Sequence, residues 1–383
     1  MAREKKKKLK NPFVFRGYEG PEYFCDRTEE TENLVSGLQN GINMTLLSPR
    51  RIGKTGLIKH VFHQIRQQDR NAVCLYIDIF ATQSLHDFVT LFCQAFVSEV
   101  IEREKPLLAK VLDTFRGWRP VISADPVTGA PQVSVSIEPV QTDYTLKSIF
   151  DYIEQMDKEV YIAFDEFQQV AEYAEKGTEA MLRSYIQFNH AHFIFSGSKL
   201  HLVSEMFLSP QRPFYQSTQF VSLDPLHEEV YADFACRFFE ARKSGRLSRN
   251  VFHSIYSQFN GNTWCIQMVL NRLYDTCNQV DSEQQAACAI DMVIKMMSGS
   301  YEGLLALLTQ SQVNLLKAVA KAEPVAQPLN GDFIKRYDLP ATSTIKSILN
   351  VLQNKDLVYR TAEGYVVYDR FFSLWLKRTF GLY

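Results

Sequence analysis

The chain has almost no net charge: 42 Lys and Arg stand against 43 Asp and Glu over 383 residues, a formal −1 at neutral pH. That balance offers no bulk electrostatic argument for a nucleic-acid or membrane surface. No apolar run approaches the roughly 20 residues needed to span a bilayer. The start, MAREKKKKLK, carries six Lys and Arg against one Glu, with no apolar stretch behind it, so it does not read as a secretory signal. Residues 1–10 are expected to form a solvated, disordered tail, with an accessory nucleic-acid contact as the lesser alternative. The seven cysteines are scattered and never in C-x-x-C spacing, and most, like Cys93 behind Leu91 and Phe92, lie in apolar patterns. They predict buried thiols in a reducing compartment and exclude a disulfide framework or a zinc site. His60 and His63 share a helix face and His190 and His192 flank an apolar strand, but neither pair has a third metal ligand near it. A cytoplasmic protein is expected.

What is present is organised around Met44 to Leu57, MTLLSPRRIGKTGL. An apolar run leads into a turn, and Gly53-Lys54-Thr55 opens a helical pattern, which is the shape of a phosphate-binding loop. Residues Ser48, Pro49, Arg50, Arg51, Ile52, Gly53, Lys54, Thr55 and Gly56 are the candidate nucleotide contacts. Backbone N–H groups over residues 51–55 would cradle phosphate at a helix N-terminus. Lys54 would reach the β- and γ-phosphates and the Thr55 hydroxyl would hold Mg²⁺. The first glycine of the general pattern is missing, and Ser48 stands in its place.

Strand and helix patterns alternate around this loop. Thr28 is a candidate N-cap for a helix ending near Asn40-Gly41. Then follow a strand (Asn43–Leu47), the loop, a helix (Lys54–Gln68), the apolar strand AVCLYIDIF and an amphipathic helix over 84–103. Such alternation predicts a sheet covered on both faces. Residues 119–143 interrupt it, and the alternation in QVSVSI suggests a hairpin or a loose insertion. A helix (Thr145–Gln155) leads into EVYIAFDEFQQV. There the strand runs into Asp165 and Glu166 at the end that opens on the ligand crevice of a parallel sheet. Asp165 would bind Mg²⁺, commonly through water, and Glu166 would orient and deprotonate the attacking water. The next strand, HFIFSGSKL, offers Ser196, and after it Ser198, to sense the γ-phosphate or the water; a plain Ser/Gly turn is equally compatible. Arg212 is a phosphate or intersubunit arginine, or else a solvated loop charge.

Helical patterns dominate from His227. Leu226–Leu308 is expected to be a helical lid, with Gly245, Gly261 and Gly299 as helix stops. Beyond Thr309, three helices and a hairpin over Val358–Tyr368 make a winged-helix arrangement. Ser343, Thr344, Lys346 and Asn350 on its third helix and Arg360 near the wing are the candidate DNA contacts. Residues 301–383 hold ten Lys and Arg against seven Asp and Glu, a net of +3. That is a thin basic endowment for a DNA reader, so duplex DNA and a docked protein stay equally open as partners. The last aromatic helix, within Tyr368–Arg378, is expected to pack on the core. The predicted plan is thus a tail (1–10), an α/β core (11–225), a helical lid (226–308) and a winged helix (309–383).

These motifs resemble the archaeal-type P-loop ATPases, a branch of the STAND NTPases related to AAA+ proteins. NPF followed by FCDRTEETENL is similar to the family's opening motif, an aromatic residue then G-R-E. SPRRIGKTGL resembles G-P-R-R-x-G-K-T-S-L, YIAFDEFQQV resembles h-h-h-D-E-h-Q, and FIFSGSKL resembles the sensor strand. FNGNTWCIQMVLNRLY is similar to a helical-domain motif built on G-x-P and a Gln, and YVVYDRFFSLWLKR to the segment after the winged helix. The resemblance implies an AAA+-like P-loop NTPase core with a parallel sheet, a helical lid and a C-terminal winged helix. It further implies ATP and Mg²⁺ as ligands, slow hydrolysis with Lys54 and Glu166 as catalytic residues, and Arg27 near the adenine or ribose. The departures are Ser48 for glycine, Cys25-Asp26 for a small residue and glycine, and Thr263 for the proline of G-x-P. Many relatives carry a nuclease-like domain after the winged helix; this chain ends at Tyr383, so no nuclease activity is expected.

Overall fold

Short strands, most of their positions buried, make the centre of the first half of the chain. The computed structural model describes residues 9–103, 118–124 and 131–382. Most of the basic start (1–8) and the tip of the expected hairpin (125–130) lie outside them. The chain divides into two compact units, Arg16–Leu226, and His227–Tyr383 together with the stretch up to Phe15.

The first unit begins with α1 (Thr28–Gln39), β1 (Met44–Leu47), α2 (Lys54–Gln68), β2 (Val73–Asp78) and α3 (Leu85–Arg103). An antiparallel pair, β3 (Trp118–Ala124) and β4 (Pro131–Ile137), realises the expected hairpin. Then come α4 (Thr142–Glu154), β5 (Val160–Asp165), α5 (Thr178–Gln187), β6 (His192–Gly197), α6 (Leu200–Leu208) and β7 (Gln219–Ser222). The main sheet has the order β2-β5-β6-β1-β7 and is parallel throughout. Strand periodicity sorts side chains onto two faces. Ile162, Phe164, Phe193 and Phe195 point to one, where Phe88, Phe92 and Phe150 cover them. Tyr161, Ala163 and Ile194 point to the other, under Leu57, Ile58 and Val61 of α2. Asp165 and Ser196 continue the second parity, so they emerge on the side of the sheet that α2 covers. Register puts Asp78 level with Asp165 and Leu47 level with Gly197. The segments leaving β1, β5 and β6 therefore share one edge.

The N-terminus of α1 differs from expectation. Arg27, not Thr28, is the N-cap, and no side chain caps the helix. Asp26 and Arg27 are both left-handed, at φ 54° and 64°. Asp26 stands where the family pattern has glycine, and aspartate is one of the few residues that enters this region at modest cost.

The second unit contains α7 (Glu228–Glu240), α8 (Arg249–Gln258), α9 (Thr263–Thr276) and α10 (Glu283–Ala306). Two-residue strands β8 (Arg246–Leu247) and β9 (Gln279–Val280) pair in parallel between them, a feature with no sequence signal. Asn262 caps α9 by accepting from the Cys265 N–H, so Thr263 opens a helix where the family motif has proline. Phe13 is fully buried against Phe238, Phe239 and Tyr274, and Asn271 donates to its carbonyl at 2.8 Å. α8 ends at Gln258 with Phe259 as its cap, and two left-handed residues follow, Asn260 at φ 47° and Gly261 at φ 70°, so the expected glycine stop is shared with an asparagine. Gly299 does not stop a helix: α10 runs through it to Ala306. Tertiary packing overrides the glycine penalty, because Val293, Ile294 and Tyr301 on either side are buried.

The same unit closes with α11 (Gln310–Ala322), α12 (Gly331–Arg336), α13 (Thr342–Asn354), β10 (Val358–Arg360), β11 (Tyr365–Val367) and α14 (Arg370–Thr379). β10 and β11 form the antiparallel wing, and an isolated antiparallel bridge joins Val325 to Tyr365. Among the described residues no helix is long and apolar enough to cross a membrane.

Candidate functional site

The loop between β1 and α2 closes over its own lysine. Lys54 Nζ donates to the carbonyls of Ser48 at 2.7 Å and Pro49 at 2.9 Å, and approaches Ser48 Oγ at 3.4 Å. Its side chain is buried, and burial lowers its pKa to about 8; Glu166 and Asp165 pull in the opposite direction, while Arg50 pushes the same way. Gly53 sits at φ 108° as the cap of α2, a conformation that side chains rarely adopt. Ser48 is not among the left-handed residues, so the missing glycine removes no backbone freedom the loop uses. Ile52 is buried beneath the loop and Arg51 is exposed at φ 67°. Gly56 faces the ring of Phe24, which would lie 3.4 Å from an added Cβ. Phe24 in turn stacks on His60 at 4.4 Å.

Asp165, 4% exposed, is the hub of the next shelf. Thr55 Oγ1 donates to its Oδ2 at 2.8 Å and the Tyr76 hydroxyl to the same oxygen at 2.6 Å. Ser196 Oγ and the Glu166 N–H, the latter at 3.0 Å, donate to Oδ1. Four donors thus meet two oxygens, about the full capacity of a carboxylate. Burial first, and then the charge of Asp165, push the Tyr76 phenol well above its ordinary range. Burial also raises Asp78, the register partner of Asp165.

Glu166, half-buried, adopts a left-handed conformation at φ 59°. Its Oε2 accepts from Gln168 Nε2 at 2.6 Å, from Ser198 Oγ at 2.6 Å and from the Ser198 N–H at 3.3 Å. Ser198 Oγ also accepts from Arg50 Nε at 2.9 Å. The guanidinium of Arg50 lies 5.4 Å from the ring centre of Phe80, an exposed aromatic just past β2.

The structure thus brings Ser48, Arg50, Lys54, Thr55, Asp165, Glu166, Ser196 and Ser198 into one bonded corner. Arg27 takes part in a different contact: its two terminal nitrogens donate to Glu30 and to the Asp224 carbonyl, each at 2.6 Å. Arg212 is ion-paired with Glu179 at 3.2 Å. The candidate DNA contacts Ser343, Thr344, Lys346, Asn350 and Arg360 are exposed in the second unit. Tyr76 was missed by sequence reasoning, and Gln168 was marked only as the Gln of the h-h-h-D-E-h-Q pattern, with no role given to it. The available signal for Tyr76 was its parity with Asp78 on the strand and the small Ala163 in register beside it.

A hydroxyl beside one buried carboxylate suits a hard cation that takes most of its ligands from water and phosphate. No cluster of three or more acidic, histidine or cysteine side chains fit to hold a metal occurs among the described residues. The Thr55 hydroxyl and the Asp165 carboxylate are chemically suited to Mg²⁺ if it is shared with a nucleotide.

Compared with known families, residues 24–269 match one described as an ATPase domain predominantly from Archaea. The match spans well over half of the chain. The chain belongs to this family. Residues 299–378 of this archaeal-type ATPase also match a family described as a "Probable winged helix domain". No curated protein sequence matches it. Among solved structures it is similar to the Walker-type ATPase PABY2304 of Pyrococcus abyssi, with a TM-score of 0.66 and 17% identity over 96% of this chain and 99% of that one. The ORC1 protein of Aeropyrum pernix, solved in complex with DNA, gives a TM-score of 0.53 at 13% identity over 96% of both chains. The ORC2 protein of the same organism in its ADP form gives 0.53 at 13%, over 97% of this chain and 96% of that one. At such identities the likeness is one of fold. Family membership makes this chain an ATP-binding ATPase, with an α/β core and a winged helix.

Proposed function

We propose that this ATPase is a nucleotide-dependent switch of the STAND type, acting in the cytoplasm and turning ATP over slowly. The observation that carries it is the hydrogen bond from Thr55 Oγ1 to Asp165 Oδ2, which joins the loop to the carboxylate strand. The backbone of residues 48–56 and the Lys54 ammonium hold the phosphates in this reading. Thr55 and Asp165 hold Mg²⁺, which when bound offsets phosphate charge. Glu166 takes the proton of the attacking water, and Ser196 and Ser198 fix the two carboxylates. Arg27 stands near the adenine or ribose on the strength of the family pattern. Lys54→Ala is expected to weaken ATP binding strongly in a titration, and unchanged affinity would refute the assignment. Glu166→Gln is expected to keep ATP and lose phosphate release.

A second reading is favoured by the exposed face of α13, with Ser343, Thr344, Lys346 and Asn350, next to Arg360 on the wing. There the chain is a DNA- or protein-binding regulator whose ATP is structural. Wild type and Glu166→Gln would then release phosphate at the same negligible rate. Binding of labelled duplex DNA that weakens with salt would identify DNA as the partner.

A further inference from the structure

Gln168 lies on the first turn of the 3₁₀ helix Phe167–Glu172, two residues past Glu166. It is 1% exposed, and its Nε2 donates to Glu166 Oε2 at 2.6 Å. Its own carbonyl, Oε1, is buried with no hydrogen-bond partner among the described residues. An orphaned buried carbonyl carries a real penalty, about 1–3 kcal/mol, and turning the amide over would not remove it. Turned over, the amide would press its oxygen against the Glu166 carboxylate. The penalty therefore stays fixed wherever a donor must face Glu166.

Gly197 makes the room. A Cβ on Gly197 would lie 2.1 Å from Gln168 Oε1 and 2.5 Å from Val203 Cγ2. Gly197 is not left-handed, so its backbone places no demand for glycine. The remaining oxygen of Glu166, Oε1, accepts no hydrogen bond from the described residues, while Oε2 accepts three. The frame thus determines which carboxylate oxygen is available for chemistry.

We propose that Gln168 is a positioning residue for Glu166, and that position 197 is glycine because the Gln168 amide, together with Val203, occupies the space a side chain would fill. This rests on the reading of Glu166 as the base. Gln168→Met keeps the length of the side chain, removes the donor and removes the orphaned carbonyl. ATP affinity and melting temperature should stay near wild type, while kcat falls by up to about a hundredfold, as expected when a catalytic group loses its aim. A purely structural role predicts the reverse, a lowered melting temperature with kcat retained, and that result would overturn the proposal. Glu166→Gln is assayed alongside. If it turns over as fast as wild type, the base assignment fails and the proposal falls with it; if only Gln168→Met is unaffected, the proposal alone fails. The space argument has its own test without turnover. Gly197→Ala should lower the melting temperature more in wild type than in a Gln168→Ala background, and equal losses would overturn it.

Discussion

Lys54 ties nucleotide binding to pH. Its amine has a pKa of about 8 instead of the ordinary 10.5, burial being the largest cause. Polyphosphate binding needs the ammonium, so affinity should be flat below pH 8 and weaken by up to tenfold per unit above it. At pH 9.5 the deprotonation factor, 1 + 10^1.5, is about 30, or roughly 2 kcal/mol. The assay is an ATP titration at constant ionic strength from pH 7 to 9.5. Calorimetry at pH 9 in two buffers of different ionisation enthalpy should show proton uptake approaching one per ATP. Lys54→Met should bind weakly and show no slope. A wild-type Kd that changes less than about threefold between pH 8 and 9.5 would refute the reasoning, because ATP has already lost its last phosphate proton in that window. Stability moves the opposite way. The folded pKa lies below the unfolded one, so between pH 8 and 10.5 the unfolded chain holds more protons and stability rises with pH, by up to about 3 kcal/mol. The difference between wild type and Lys54→Met in denaturant melts isolates that effect.

Other perturbations test the frame. Glu323 has a side chain only 8% exposed, with Lys377 at 2.9 Å and Arg370 at 3.6 Å. It also accepts from the Val367 N–H at 2.9 Å and Ser373 Oγ at 2.5 Å. Glu323→Ala leaves two half-buried cations and the Val367 N–H without their acceptor and should cost about 1–3 kcal/mol, seen as a lower denaturation midpoint of the wing. Phe13→Ala should cost about 3–5 kcal/mol in the second unit, with hydrogen exchange in β1, β5 and β6 unchanged. Thr55→Val removes one donor from Asp165; nucleotide affinity in excess EDTA should match wild type, and the increment on adding magnesium should shrink.

The core was readable because its signals are local. The apolar runs of β2, β5 and β6 and the turn at Gly53 each specify their conformation within a few residues, and their periodicity also gives the face on which Asp165 emerges. Contacts made across the sheet were not readable. Tyr76 reaches Asp165 from a neighbouring strand, and Gln168 meets Gly197 from a different segment, so neither pairing leaves a mark on linear spacing. Gly299 misled because a glycine looks like a helix stop wherever it stands, while burial of Tyr301 two residues later keeps the helix going. β8 and β9 are too short to show any period.

α10 has a mechanical consequence. It is 24 residues long, about 36 Å at the standard rise. α14 is fastened along it by the Arg378–Asp291 ion pair and by Tyr301 against Phe372 and Trp375. These fixings span residues 291–301, roughly 15 Å of the shaft. Helical bundle and wing therefore share one girder, held chiefly by the buried rings of Tyr301, Phe372 and Trp375, while the exposed ion pair adds little. Any partner that grips the wing takes hold of the whole bundle.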